Sequence, residues 1–197
     1  GSLNRLTLTS MQKAMMDLPT RWLSAARTNA VTVMLGGDNR RYAITPEMTG
    51  HMGEQLALLA RTTRSKLMLI PSRRTPVGLI DSITAALPDG SVLTPGEDEP
   101  NVYPGVLGLG QAVIVTSDSV NMASEAAITG KPVLIIGWKP AAKDSPTGEK
   151  GRIASFHKNM VAGGHSAIFD GSIPSGNFVR LDEMADVTER LLTLLGL

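Results

Sequence analysis

The sequence predicts an α/β protein built on a doubly wound, mostly parallel sheet of the Rossmann-like kind. Short apolar runs of strand length alternate along the chain with longer segments of helical periodicity. The clearest runs are apolar throughout rather than at every second position, which is typical of strands covered on both faces. Strands that alternate with helices imply right-handed crossovers and therefore parallel pairing.

The composition limits the class of protein. The chain has 197 residues, of which 42% are hydrophobic and 19% charged, so it has enough apolar material for a sizeable core and is not a disordered chain. Lys and Arg number 19 against 18 Asp and Glu, a formal net charge of +1. No overall field therefore favours nucleic acid as a partner, and any anion site must be local.

Several kinds of chemistry have no support in the sequence. The absence of cysteine excludes disulfides and thiolate chemistry and fits a reducing compartment. The three histidines, His51, His157 and His165, are too scattered for a metal cluster. No apolar run approaches the roughly 18 residues of a membrane span, and no signal-peptide pattern opens the chain. We expect a cytoplasmic protein with no metal, no cofactor and no integral membrane segment.

The first residues predict a connection to another part of the protein. Gly1-Ser2 resembles the remnant of a cleaved tag, so we expect the natural sequence to begin upstream. Residues 3–28 carry apolar side chains at helical spacing, interrupted at Leu18-Pro19. We assign 1–28 to the tag remnant and a connector helix, and 29–197 to the Rossmann-like domain. A missing N-terminal domain of the same chain is then an expected partner.

The first half of the domain contains three predicted strands. A strand over 31–35 is followed by a helix with Thr45 as N-cap and Pro46 at its first position, which runs to about Thr63. The next segments are a strand over 66–70, a helix over 76–87, a strand near 91–93 and a loop over 94–103 that is rich in Pro, Gly and acidic residues.

The second half continues the alternation. The pattern predicts a strand over 112–116, a helix over 120–129 that Gly130 ends, and a strand over 132–136. A loop over 139–151 follows, and then closing helices over 152–161 and 182–195, the second with Asp182 and Glu183 in its first turn.

Polar residues follow three of the predicted strands. In doubly wound sheets, ligands bind outside the carboxyl ends of the strands. Three loops therefore converge on one crevice, and their candidate binding residues are Gly36, Gly37, Asp38, Asn39, Arg40 and Arg41, then Ser72, Arg73 and Arg74, then Ser117, Asp118 and Ser119.

The first two loops fit an anion, although each also has a plain structural explanation. The Gly36-Gly37 pair lets backbone approach a ligand closely, but it is equally an ordinary turn. Arg73 and Arg74 suit bidentate contacts with phosphate or carboxylate, although they fit a solvated turn as well. Neither a dinucleotide-binding GxGxxG motif nor a P-loop is present.

The third loop opens a helix, where backbone N–H groups and the helix dipole favour an anion. Asp118 or Ser119 would otherwise be only the N-cap. Glu125 lies seven residues after Asp118, which predicts a similar face, and its carboxylate suits a ribose-like diol. Ser124 and Lys131 belong to the same segment and complete the candidate set there.

His157 is a further candidate for phosphate binding or acid chemistry, although a histidine on a helix surface is the commoner explanation. The motifs GxSxG and HExxH are absent, so nucleophilic hydrolysis and metal catalysis have no sequence support. The catalytic residues are therefore unknown from the sequence.

Three segments together resemble the mitochondrial fission "elongated mitochondria" family, which is known from plants and widely from bacteria. They are Val31-Thr-Val-Met-Leu-Gly-Gly-Asp-Asn-Arg-Arg-Tyr42, Ile70-Pro-Ser-Arg-Arg-Thr-Pro76 and Val115-Thr-Ser-Asp-Ser-Val-Asn-Met-Ala-Ser-Glu-Ala-Ala-Ile-Thr-Gly-Lys-Pro132. The resemblance covers nearly all of residues 31–195. One departure is the loop over 96–103, where the family usually has Gly-Glu-Asn-Pro-Tyr.

More distantly, the same segments are similar to the donor-nucleotide half of GT-B glycosyltransferases. That resemblance implies a metal-independent domain for a nucleotide sugar or nucleotide diphosphate, with Gly36 and Gly37 near the diphosphate, Ser117–Ser119 on phosphate and Glu125 on the ribose. The acceptor and the catalytic base would come from a partner domain, so this domain alone is not expected to be active. The alternative is a non-catalytic GT-B-like interaction module linked to membrane or organelle fission, and a third possibility is a sugar-phosphate sensor without turnover.

Overall fold

The computed structural model describes residues 6–37, 44–137, 149–182, 187–188 and 192–195. Within these ranges the chain forms one six-stranded sheet in the order β3-β2-β1-β4-β5-β6, and every neighbouring pair is parallel. The strands are β1 (Val31–Leu35), β2 (Leu67–Pro71), β3 (Val92–Leu93), β4 (Val113–Thr116), β5 (Val133–Ile136) and β6 (Ala167–Ile168). The doubly wound α/β fold is therefore confirmed.

Helices cover both faces of this sheet. They are α1 (Leu8–Met16), α2 (Thr20–Ala26), α3 (Pro46–Thr63), α4 (Leu79–Thr84), α5 (Tyr103–Leu109), α6 (Val120–Ala127) and α7 (Glu149–Ala162), with further helical residues at 187–188 and 192–195. None of the helices in the described ranges is long and apolar enough to cross a membrane.

Alternate residues of the central strand β1 pack against helices on opposite faces of the sheet. Val31, Val33 and Leu35 of β1 pack into a core cluster with apolar side chains of α3 and α4. Met34, between two of them, packs into another cluster with α1, α5, α6 and α7. All five residues of β1 are buried, which explains why the strand is apolar without a period of two.

Several elements differ from the sequence-based expectations. The helix expected over 76–87 is only α4, because Gly78 adopts a left-handed backbone (φ 81°) immediately before it. Helix α5 and strand β6 were not expected. Helix α7 begins at Glu149, inside the predicted loop over 139–151, whose residues 139–148 lie outside the described part. Asp182 is not helical, and Glu183 is not described.

The predicted connector is packed onto the domain. Residues 8–26 form two helices rather than one, with Pro19 as the N-cap of α2. Met11 of α1 and Trp22 of α2 are 2% and 0% exposed, so both belong to the core on the α5 face of the sheet.

Glu99 fastens the loop between β3 and α5 to helix α2. Arg21 Nε donates to its Oε1 at 2.8 Å and Arg21 Nη2 donates to its Oε2. Trp22 Nε1 donates to Oε1 at 2.9 Å, and the Gly96 N–H donates to Oε2 at 3.0 Å. These donors, chiefly the Arg21 guanidinium, lower the pKa of Glu99 to about 2.

We expect Glu99→Gln to lower the free energy of unfolding by about 1 to 2 kcal/mol at pH 7, because the charged acceptor of these bonds is lost while Arg21 stays partly in solvent. The carboxylate stabilises the fold above its ordinary pKa of 4.5, and this stabilisation is lost as the pH falls towards about 2. The difference between variant and wild type, measured by urea denaturation, should therefore shrink across this range.

Glu97→Gln is the matched control, because Glu97 is an exposed carboxylate of the same loop. Equal losses of stability in the two variants would contradict the role assigned to Glu99.

Candidate functional site

The order of the sheet reverses direction between β1 and β4. From β1 the chain builds outward through β2 and β3, and it then returns to β4 on the other side. Loops that leave two such strands separate and open a crevice at the carboxyl edge of the sheet. The segments that follow these strands are Gly36-Gly37 and 117–119. With 72–75, which follow β2, they form what we call the carboxyl-edge crevice.

Asp118 joins the three loops of the crevice. Its side chain is 0% exposed. Oδ2 accepts hydrogen bonds from the Gly37 N–H at 3.2 Å and from Arg74 Nη2 at 3.1 Å, and Oδ1 accepts one from Thr116 Oγ1 at 2.7 Å. The loops converge as the sequence predicted, and an ion pair between the buried Asp118 carboxylate and the partly exposed Arg74 guanidinium helps to hold them together.

The neighbouring loops approach Gly36 and Gly37 so closely that neither position has room for a side chain. The Gly36 N–H donates to Thr116 Oγ1 at 2.8 Å. A Cβ on Gly36 would lie 2.0 Å from Asp118 Oδ1, and a Cβ on Gly37 would lie 1.7 Å from the carbonyl oxygen of Arg74. Side chains at these positions would therefore separate the loops that Asp118 joins.

The loop after β2 is ordered by Ser72 and Thr75. Thr75 Oγ1 lies 2.8 Å from the carbonyl oxygens of both Leu35 and Gly36 and accepts a hydrogen bond from the Ser72 N–H. The Arg74 N–H donates to Ser72 Oγ at 3.2 Å. Arg73 is exposed and has no hydrogen bond or ion pair with another described residue. Its guanidinium therefore has all of its donors to offer a ligand.

Helix α6 begins at the crevice. Ser119 is its N-cap, and Ser119 Oγ accepts a hydrogen bond from the Met122 N–H at 3.3 Å. Asp118 therefore lies before the helix, so the expected shared face with Glu125 is wrong. Ser124 is buried, and its hydroxyl donates to the Val120 carbonyl within the helix.

Glu125 is turned towards helix α5. Its Oε2 accepts a hydrogen bond from the Tyr103 hydroxyl, while Oε1 has no hydrogen-bond partner among the described residues. Burial raises the pKa of Tyr103, and the Glu125 carboxylate raises it further, so the phenol stays protonated and donates. Glu125 thus keeps one oxygen for another donor.

His157 lies beneath the crevice on α7. It is 7% exposed, and its Nε2 lies 2.8 Å from the Ser117 carbonyl oxygen. Nδ1 is buried without a hydrogen-bond partner in the described part of the chain. Burial lowers the pKa of His157 below the ordinary 6.5, although the Ser117 carbonyl and the Asp118 charge act in the opposite direction. The neutral ring therefore supports the loop after β4.

Lys131 lies away from the crevice. It precedes β5, at the amino edge of the sheet, and its Nζ donates to the carbonyl oxygens of Gly108 and, at 2.6 Å, Gly110. Its burial lowers the pKa of the ammonium. The predicted site residues Asp38, Asn39, Arg40 and Arg41 lie outside the described part. Within that part, no group of three His, Cys, Asp or Glu side chains is arranged to hold a metal ion.

Sequence reasoning did not single out three residues that shape the crevice. Thr116 ends an otherwise apolar strand, and this lone hydroxyl was the available signal. In the sequence, Thr75 is one polar residue among several in its loop. Tyr103 ends the loop that departs from the family pattern, but nothing in the sequence indicates its contact with Glu125.

Comparisons with known proteins identify relatives of this chain and a structure of similar fold. "Mitochondrial fission protein ELM1" of Arabidopsis thaliana is 30% identical over 165 residues, which cover 79% of this chain and 38% of that protein. "Uncharacterized protein RP120" of Rickettsia prowazekii is 28% identical over 139 residues, which cover 68% of this chain and 38% of that protein. A Listeria monocytogenes protein assigned as a UDP-N-acetylglucosamine 2-epimerase is similar in fold, with a TM-score of 0.52, 15% identity and coverage of 92% of this chain and 40% of that one.

The fold and the crevice at its switch point define a Rossmann-like α/β domain with a GT-B-like fold. The family described as mitochondrial fission ELM1 matches residues 1–195, and the chain belongs to that family. The chain spans less than half the length of the curated relatives that it matches.

We expect Gly37→Ala to destabilise the protein by about 2 kcal/mol or more, because the new methyl group would meet the Arg74 backbone. Gly50→Ala is the matched control. It lies in α3, where an added Cβ would have no atom within 4 Å, and alanine there should stabilise the helix by about 0.5 to 1 kcal/mol. Urea denaturation of both variants tests the pair, and similar changes in both would refute the close approach at Gly37.

His157 should make stability depend on pH. Below pH 6.5 the unfolded chain binds a proton that the folded protein, with its lowered pKa, does not bind, so stability falls as the pH falls. His157→Gln should flatten the change in Tm between pH 7.5 and 5.5. His51→Gln, on the exposed surface of α3, should keep the wild-type slope. A wild-type slope in His157→Gln would show that another group is responsible.

Proposed function

We propose that the carboxyl-edge crevice binds the diphosphate of a nucleotide sugar and that this domain is the donor-binding part of a GT-B-like glycosyltransferase. The observation that carries the proposal is the meeting of a glycine pair, Arg74 and the start of α6 at the switch point of the sheet, with Arg73 exposed in the same loop. Close backbone, guanidinium groups and a helix N-terminus are the groups that bind phosphate in folds of this class.

The charges of the crevice suit a diphosphate. Arg74 is paired with Asp118, which leaves Arg73 and the positive end of the α6 dipole to face an anion. As the bond between sugar and diphosphate breaks, negative charge grows on the leaving phosphate. Fixed donors placed there would stabilise that charge without a metal ion.

Glu125 supports the nucleoside end of the same ligand. A carboxylate accepts both hydrogen bonds of a ribose diol. Tyr103 already holds Oε2 of Glu125, and Oε1 remains for a ribose hydroxyl. Ser124 and His157 would support the site without touching the ligand. Ser124 bonds within α6, and His157 holds the Ser117 carbonyl.

The rest of the activity lies outside this chain in our proposal. Because the chain covers 38% of each curated relative, we assign the acceptor site and the catalytic base to another domain of the same protein. The isolated domain would then bind the donor without turning it over. The lack of cysteine and the resemblance to bacterial relatives lead us to place the protein in the cytoplasm of a bacterium.

One observation favours a second function, that of a GT-B-like interaction module without catalysis. The Arg74–Asp118 ion pair ties together two of the loops that would otherwise line an open crevice. Val77, three residues after Arg74, is fully exposed. In this alternative the same edge of the domain would present a surface to a protein partner.

The donor-binding proposal is tested by the Tm of this chain with uridine, guanosine, thymidine and cytidine diphosphates and their sugars. A bound ligand at about 100 times its Kd should raise the free energy of unfolding by about 2.7 kcal/mol. We expect one base to give the largest rise, and we expect Arg73→Ala and Glu125→Ala to remove it.

Two exposed residues outside the crevice provide matched controls, Arg27→Ala for the arginine and Glu54→Ala for the glutamate. Both should keep the rise in Tm. No rise with any nucleotide at millimolar concentration, or an equal rise in every variant, would reject donor binding by this crevice and favour the interaction module.

A further inference from the structure

A second polar hollow lies at the opposite edge of the sheet. It has a volume of about 490 Å³ and is formed by the end of α3, the start of β2 and the turn before β3. Val31 and Leu67 donate backbone hydrogen bonds to Lys66 and Ser91 beside it, at 2.8 and 2.7 Å, so its walls are the amino ends of paired strands. We call it the amino-edge hollow, and its volume is that of a small-ligand site.

The hollow is positively charged. Arg61, Arg64 and Lys66 line it against one carboxylate, Asp89. The carboxyl end of α3 adds only about half a negative charge. Arg61 and Arg64 are exposed and form no ion pair with a described residue. In a chain whose net charge is +1, three cations around one concave surface are a local concentration of charge.

Helix capping accounts for only part of this cluster. A basic residue in the last turn of a helix complements the dipole, which is sufficient to explain Arg61. Arg64 is the C-cap, and its backbone is left-handed with φ 53°. Glycine or asparagine adopts that conformation at lower cost, so the backbone does not explain an arginine there. Lys66 comes from another element, the start of β2.

One of the three cations is held in place by a hydrogen bond. Lys66 Nζ donates to the Gly90 carbonyl oxygen at 2.5 Å, which fixes the ammonium across the hollow and leaves it further protons to donate. Asn29 Nδ2 donates to the Thr63 carbonyl oxygen at 3.0 Å and thereby occupies one of the last carbonyl groups of α3. The ammonium of Lys66 is thus positioned before any ligand arrives, and the two arginines extend from the ordered end of α3.

We propose that the amino-edge hollow is a binding site for a phosphate group. Two guanidinium groups and an ammonium can contact several oxygens of one phosphate, which has more acceptors than a carboxylate. The phosphate belongs either to a soluble phosphorylated compound or to a lipid headgroup. The site is separate from the carboxyl-edge crevice, so the proposal does not depend on the function assigned to that crevice.

The first test is titration of the ¹⁵N-labelled chain with inorganic phosphate, with chloride at matched ionic strength as the reference. We expect amide shifts at 64–66 and 89–91, whether or not the amides at 117–119 in the crevice also respond to phosphate. Arg61→Gln/Arg64→Gln should weaken binding at least tenfold. Lys13→Gln/Lys158→Gln removes the same charge from two exposed positions outside the hollow and should bind as wild type does.

The second arm distinguishes the sources of the phosphate. The chain is sedimented with vesicles of phosphatidylcholine that contain or lack phosphatidic acid. Binding that needs phosphatidic acid and is lost in Arg61→Gln/Arg64→Gln identifies a headgroup, whereas free phosphate binding without vesicle binding identifies a soluble ligand. Phosphate and vesicle binding that are both absent, or both unaffected by the double substitution, would overturn the proposal.

Discussion

The buried carboxylate of Asp118 is the constraint on which the carboxyl edge of this protein depends. An unpaired charge inside a protein is costly, so Asp118 is stable there only while its partners stay in place. Those partners come from the ends of three different strands: the N–H of Gly37, the guanidinium of Arg74 and the hydroxyl of Thr116. Movement of any one loop breaks a bond to a buried charge, and the three loops therefore behave as one unit.

This arrangement also explains why the two functional interpretations share the same residues. A rigid cluster of loops is a good phosphate site, because its donors lose little freedom when a ligand binds. It is equally a well-defined surface for a protein. The ion pair with Asp118 neutralises Arg74, whereas Arg73 stays exposed. The positive charge available to an anionic ligand is therefore chiefly that of Arg73.

The fold was largely predictable from the sequence, because a parallel sheet buried on both faces requires apolar runs such as 31–35. Helix α5 was missed because Pro104, Gly105 and Gly108 are residues that normally favour loops, whereas here packing against α1 decides the conformation.

The site was predictable only in part. Loops that follow strands converge for topological reasons, so their meeting could be inferred without coordinates. The pairing of Arg74 with Asp118 and of Tyr103 with Glu125 joins residues 44 and 22 positions apart, and no local pattern encodes such contacts. Lys131 shows the converse error. It belongs to the same sequence motif as Ser117–Ser119, but helix α6 carries the chain from the carboxyl edge of the sheet to the amino edge between them.

The loop between β3 and α5 connects helix α2 to Glu125. At one end Glu99 accepts hydrogen bonds from Arg21 and Trp22 of α2, and at the other end the Tyr103 hydroxyl donates one to Glu125. Because Arg21 and Trp22 of α2 are both bonded to Glu99, a displacement of α2 would strain this loop. Such a displacement would act through Tyr103 on the carboxylate of Glu125, which is distant from α2 along the chain.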